Sequence, residues 1–192
     1  MTKPRPLQGR TGQAGASRRG TRAKGSPERS AGAALSHLDA RGRAQMVDVS
    51  AKPESVRVAI ARAQIELTPQ VRAMVLEGTL AKGEALAVAR IAGIQAAKET
   101  SRLIPLCHPL ALDQVEVHFA AVGEAAIAIN CTARCRGATG VEMEAMTGAA
   151  VAALTLYDMC KAACRGARIT AVELRHKSGG KSGTWVREGG GE

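Results

Sequence analysis

Residues 146–157 read MTGAAVAALTLY, twelve positions without a charge. Ala, Leu and Met favour the α-helix. A helix that is apolar all round must be buried. The segment therefore predicts a buried helix of small side chains, which neighbouring elements can approach closely. The rest of the chain must supply those neighbours from aliphatic material, since it holds one Trp, one Tyr and one Phe among 192 residues. A core this poor in large side chains also favours an oligomer, which buries further surface.

Both ends of this helix carry charge. Glu142 and Glu144 precede it, and Asp158 and Lys161 close it. Asp158 and Lys161 are three apart and share a helical face. The spacing fits a plain ion pair equally well. A charged pair bordering a buried segment is costly, however, unless it has partners or a task. The two glutamates suit a helix N-terminus, where the macrodipole favours acids. Residues two apart do not share a helical face, so a single site served by both predicts an extended segment there.

The remaining elements follow from local signals. Residues 46–50 (MVDVS) read as a short extended piece and Val56–Leu67, which alternates partly, as a strand with a helix as the alternative. Thr68-Pro69 supplies an N-cap and a first-turn proline for a helix over Gln70–Glu77, which stops at Gly78. A second, Ala-rich helix is expected over Gly83–Lys98. Pro105 and Pro109 exclude regular structure from LIPLCHPL (103–110) and leave Cys107 and His108 on a stiff turn. Gln114–Ala120 alternates with Val115, Val117 and Phe119 on one face. Ala125–Arg134 alternates with Ile127, Ile129 and Cys131 together, and Val122-Gly123-Glu124 links the two as a hairpin. Arg168–Leu174 reads as a further strand, and KSGGKSG (177–183) as a flexible glycine-rich segment. The order predicts an α+β fold, an antiparallel sheet covered on one face by helices.

Charge divides the chain. Residues 1–34 hold eight Lys or Arg and one acid, a net +7 of the formal +10, so the body is nearly balanced. The arm is Gly, Ala, Ser, Pro and Arg. It has too little to bury to offset its ordering entropy, which predicts disorder. A basic arm can hold nucleic acid electrostatically. It also resembles a presequence in composition, without amphipathic periodicity, or serves as a plain solvated extension. No apolar run is long enough to span a membrane. Five cysteines without a secretory signal point to a reducing, cytoplasmic setting. Cys131/Cys135 and Cys160/Cys164 are C-x3-C pairs, but neither has the turn residues of a zinc knuckle, and both read as packing. No metal or cofactor is expected. KSGGKSG lacks the spacing of a nucleotide-binding Walker loop and has no helix after it. It fits better as a lid carrying Lys177 and Lys181.

Several long motifs carry a resemblance. MVDVSAK (46–52), ARIAGIQAAK (89–98), LIPLCHPL, GVEMEAMTGAAVAALTLYDMCKA (140–162) and KSGGKSG occur in one order. Together the body, about 35–187, resembles the cyclic pyranopterin monophosphate synthase family of molybdenum cofactor biosynthesis. The resemblance implies a ferredoxin-like fold assembled as a homohexamer, a trimer of dimers with sites at subunit boundaries. It implies a lyase that converts 3′,8-cyclo-7,8-dihydro-GTP to cyclic pyranopterin monophosphate and diphosphate. By the same resemblance Asp158 and Lys161 are catalytic. Lys82, Leu106, Cys107, His108, Glu142, Met143 and Glu144 contact the substrate. The chain departs from the family at Ala138, where a basic residue usually precedes Thr-Gly; Arg134 or Arg136 is the expected substitute. AACRGAR (162–168) is also less acidic than the family pattern. A domain over 35–192 follows, with the arm 1–34 outside it. The rival classes are a nucleic-acid-binding protein acting through its arm and a metalloprotein. The body has neither a basic stripe nor stacking aromatics for the first.

Overall fold

The computed structural model describes Asp39 and residues 41–188; the arm 1–34 lies outside the described residues. Five strands form one antiparallel sheet: β1 (Ser55–Glu66), β2 (Leu112–Val122), β3 (Ala126–Gly137), β4 (Arg168–Ser178) and β5 (Trp185–Val186), in the order β2-β3-β1-β4-β5. Helices α1 (Pro69–Glu77), α2 (Ala85–Lys98) and the short α3 (Thr100–Leu103) connect β1 to β2, and α4 (Glu142–Cys160) connects β3 to β4. The first four strands and the long helices thus run β-α-β-β-α-β. The architecture is α+β, with helices against one face of the sheet.

The pleat explains which face they cover. On β1, Ala59, Ala61, Ala63 and Ile65 are fully buried, while the alternate residues Val58, Ile60, Arg62 and Gln64 are half-buried. On β3, Ile127, Ile129, Cys131, Ala133 and Cys135 face the same core. The register pairs Ala61 with Cys131 and Ala63 with Ile129, keeping both apolar sets on one side. Helix α4 lies on this small-residue floor through Ala145, Ala149, Ala152, Ala153 and Leu156, all fully buried. It meets α2 where Gly148 and Gly93 face one another. Either glycine replaced by a larger residue would drive a Cβ into the opposite backbone, so the pair sets the crossing distance.

Local signals hold where they are strong. Thr68 caps α1, its hydroxyl accepting from Val71 N at 3.3 Å, and Gly78 ends it at φ 69°. The β2–β3 turn has Gly123 at φ 53°. Four expectations need correction. Helix α2 starts at Ala85, because Gly83 at φ 90° cannot continue a right-handed helix. Residues 46–50 are irregular, and make no ladder with the main sheet. The charge-free stretch of α4 is not buried all round: Leu154 is 57 % exposed, because helices cover the sheet in one layer and the outer side of that layer is open. The segment of Glu142 and Glu144 is helical, not extended.

Candidate active site

Six of the nine expected site residues gather at the N-terminal end of α4. A cavity of about 590 Å³ lies there, lined by Leu106, Cys107, His108, Glu142, Met143 and Glu144 together with Val47, Val49, Lys52, Thr139 and Gly140. Two stiff loops build it. The proline-bounded turn after α3 delivers Cys107 and His108, and the Thr139-Gly140 link from β3 delivers the first turn of α4. Glu142 and Glu144 reach one cavity although they sit in a helix, because the helix ends there and residues of its first turn surround its axis.

The groups in this cavity are chemically distinct. His108 Nε2 lies 2.8 Å from Val47 O. A carbonyl only accepts, so Nε2 is the protonated nitrogen, and the loop 46–50 serves to orient the ring. Glu144 is 4 % exposed, and burial pushes its carboxyl above the usual carboxylate range, with the Glu142 charge adding to the rise. Glu142 is instead paired, accepting from Lys177 Nζ at 3.0 Å. Gly140 has no side chain because the Glu142 carboxylate occupies the place of a Cβ there. Burial also pushes the Cys107 thiol up. A buried carboxyl, a lysine-paired one and an oriented imidazole can together meet donor and acceptor groups of a ligand and exchange protons with it.

The other three expected residues form a separate cluster. Lys161 Nζ donates to Asp158 Oδ1 at 2.6 Å, and Lys82 Nζ to Oδ2 at 3.4 Å and to the Asp158 backbone oxygen at 2.9 Å. Lys82 thereby satisfies one of the carbonyls left open at the C-terminal end of α4. Hydrogen bonds from Lys161 and then Lys82 hold the Asp158 carboxyl below its usual range, and the Asp158 partner raises Lys161. All three side chains are about half exposed. At rest the cluster is one carboxylate under two ammonium groups, with a net positive charge offered to solvent. From Met143 to Asp158 the helix rises roughly 22 Å at 1.5 Å per residue. One chain does not bring the two clusters together.

Several residues around the cavity were not among the nine expected to bind or react. Lys52 lines it, Lys177 pairs with Glu142, and Arg57 binds the β3–α4 loop through Gly137 O (3.2 Å) and Ala138 O (3.3 Å). Arg57 thus stands beside Ala138. The only signal for these residues was the presence of Lys52 in MVDVSAK and Lys177 in KSGGKSG, both among the motifs quoted above. The cysteine pairs lie elsewhere, in the core. Burial pushes Cys131 up to about 12 and Cys160 up to about 11, which keeps these thiols protonated.

The α+β sheet, the two loops and the two charged ends of α4 define a class in which a helix presents a cavity at one end and an ion triad at the other. The chain belongs to the MoaC family, whose description matches residues 46–180. It is similar to the cyclic pyranopterin monophosphate synthase of Thermomicrobium roseum, with 54 % identity over 157 residues, 81 % of this chain and 95 % of that protein. The protein of that name from Desulfitobacterium hafniense is 50 % identical over 154 residues, 80 % of this chain and 94 % of its own.

Proposed function

We propose that this chain is a cyclic pyranopterin monophosphate synthase, a lyase that rearranges 3′,8-cyclo-7,8-dihydro-GTP and releases diphosphate. The observation that carries the reading is the activity named for relatives about half identical over nearly their whole length. The cavity chemistry supports it. Buried Glu144, its carboxyl pushed up by burial, and Glu142, paired with Lys177, suit the donor and acceptor edges of a guanine-derived ring. Closing the cyclic phosphate joins a sugar hydroxyl oxygen to the α-phosphorus and breaks its bond to the oxygen that leaves with diphosphate. The hydroxyl proton must go to a base, and the leaving group gains charge that cations stabilise.

Asp158, Lys161 and Lys82 are the reacting cluster in this reading. With two ammonium groups on it, Asp158 is a carboxylate and the lysines are the acids. The triad donates protons first and accepts one only after a lysine has given its own away. Its distance of roughly 22 Å from the cavity of the same chain favours a site shared between copies. In that arrangement the triad of one subunit completes the cavity of another. This fits a ferredoxin-like homohexamer, a trimer of dimers, whose contacts would cover exposed apolar residues such as Ile91 and Leu154, each more than half exposed. The catalytic domain is 35–192, it acts in the cytoplasm, and it needs no cofactor. Among the described residues no helix is long and apolar enough to cross a membrane.

Incubating purified protein with the cyclised GTP precursor and following product and diphosphate by mass spectrometry tests the activity. An unchanged precursor would overturn it. Co-expressed Asp158→Asn and Glu144→Gln chains test the sharing: together they should regain turnover that each lacks alone. No recovery would mean that each chain holds its site complete.

A further inference from the structure

The irregular segment 46–50 forms part of the cavity at the N-terminal end of α4. Val47 and Val49 are half-buried and line that cavity, while Asp48 and Ser50 are exposed. Val47 also offers its carbonyl oxygen to His108 Nε2, at 2.8 Å and across 61 residues of sequence. No ladder of the main sheet holds this segment. Local bonds shape it instead. Asp48 Oδ1 accepts from Ser50 N at 2.9 Å, which makes an Asx turn. Lys52 N donates to Val49 O at 3.0 Å and closes a β-turn directly after it.

The Val47 carbonyl lies in the peptide plane that leads into Asp48, the residue that anchors the Asx turn. Hydrogen bonds from Ser50 hold the Asp48 carboxyl below its usual range, and charge on His108 lowers it further, so the carboxylate lies within electrostatic reach of the ring. The effect on the ring is chemical. A neutral imidazole that donates through Nε2 keeps Nδ1 as its acceptor, whereas an unheld ring offers either nitrogen as donor. We propose that Asp48 is a positioning residue: its Asx turn holds the Val47 carbonyl on His108 Nε2 and so commits His108 to meet the ligand as an acceptor through Nδ1. Resting on the function proposed above, Nδ1 receives an N–H or hydroxyl group of the cyclised precursor. Asp48 itself touches no ligand. It acts through a backbone oxygen and a ring.

Nitrogen NMR of the full-length protein, labelled at histidine and held at a pH where the ring is neutral, reads the tautomer without substrate. His108→Gln identifies the His108 signals among those of the four histidines. Wild type should show a protonated Nε2 and a bare Nδ1. Asp48→Ala should lose this fixed pattern and show the two tautomers averaged, with a Tm close to wild type because the side chain is exposed. Its kcat/KM for the cyclised precursor should fall about tenfold or more, as expected when a group in the site loses its orientation. Asp48→Asn still accepts from Ser50 N and should keep most of both pattern and rate. Ser50→Pro is the second disrupting variant. It removes the N–H that Asp48 accepts, yet Pro suits the second position of the turn that Lys52 closes. It should reproduce Asp48→Ala. A His108 pattern unchanged in both disrupting variants, or lost in both with kcat/KM intact, would overturn the proposal. Asp48→Asn as defective as Asp48→Ala would also overturn it, by assigning the effect to charge rather than to the turn. The tautomer separates this idea from the parent reading. A pattern lost in the disrupting variants while wild type leaves the precursor unconverted would sink the function and keep the positioning. Conversion by wild type with unaltered spectra and rates in those variants would do the reverse.

Discussion

Gly148→Ala tests the packing that carries both ends of α4. An added Cβ would stand 2.6 Å from Cys131 Sγ, 3.1 Å from Gly93 O and 3.4 Å from Ala97 Cβ. The first contact is far inside van der Waals range, and the second presses on backbone. Cys131 is fully buried, so relieving the contact displaces packed neighbours or shifts β3 or α4. Ala gains about 1 kcal/mol over Gly in a helix interior. Overpacking of a well-packed core costs about 1–3 kcal/mol, and contacts with two elements at once, β3 and α2, place this site in the upper half of that range. The net loss is about 1–2 kcal/mol, or roughly 2–8 °C in Tm for a domain of this size. Scanning calorimetry reads it directly. Cys131→Ala removes the nearest obstacle, so the double variant should lose less than the two singles combined, by about 1 kcal/mol. Gly166→Ala, whose Cβ would meet nothing within 4 Å, should stay within about 0.5 kcal/mol of wild type. An unchanged or raised Tm for Gly148→Ala, or strict additivity with Cys131→Ala, would refute the reasoning.

Asp158→Asn and Lys161→Ala should each lower single-turnover rates by roughly 10²-fold or more, and the double variant should be little worse than the worse single. Near-wild-type rates with a slightly lower Tm would reduce the pair to a surface ion pair. Glu144 has its native pKa raised by burial, so its contribution to stability is present below the ordinary glutamate range and is lost as pH rises through the raised value. Thermal melts of wild type and Glu144→Gln from pH 4 to 8 should therefore show the variant gaining on wild type as pH rises, and parallel curves would contradict this. Deleting residues 1–34 should leave folding and turnover intact, checked by melting and precursor conversion. Loss of either would place part of the working domain in the arm.

Local chemistry was legible. Thr68, Pro69 and Gly78 announce α1 from within a dozen residues, and the alternation of Ile127, Ile129 and Cys131 marks the core face of β3 correctly. The two-residue β5 and the four-residue α3 have too few positions for any periodicity to register. The exposure of Leu154 was not legible either, because a sequence does not say how many layers cover a helix. Site residues came from long motifs, yet their grouping into two clusters depends on which end of α4 each occupies. Arg57 escaped notice because its partners lie 80 and 81 residues away. Its role exists only once β1 pairs with β3 and brings Ser55 opposite Gly137.

The aliphatic core has an optical consequence. Trp185, the only tryptophan, lies outside that core, paired with Lys177 across the β4–β5 ladder and 39 % exposed. The Arg187 guanidinium sits 5.6 Å from its ring centroid. Tryptophan fluorescence of this protein is thus emitted from the strand that follows the glycine-rich segment, and is nearly blind to the packing of α4 on the sheet. A titration followed at tryptophan wavelengths records what happens at Lys177 and its loop. Melting followed at the same wavelengths records the release of the β5 clasp, and can run ahead of the collapse that circular dichroism sees.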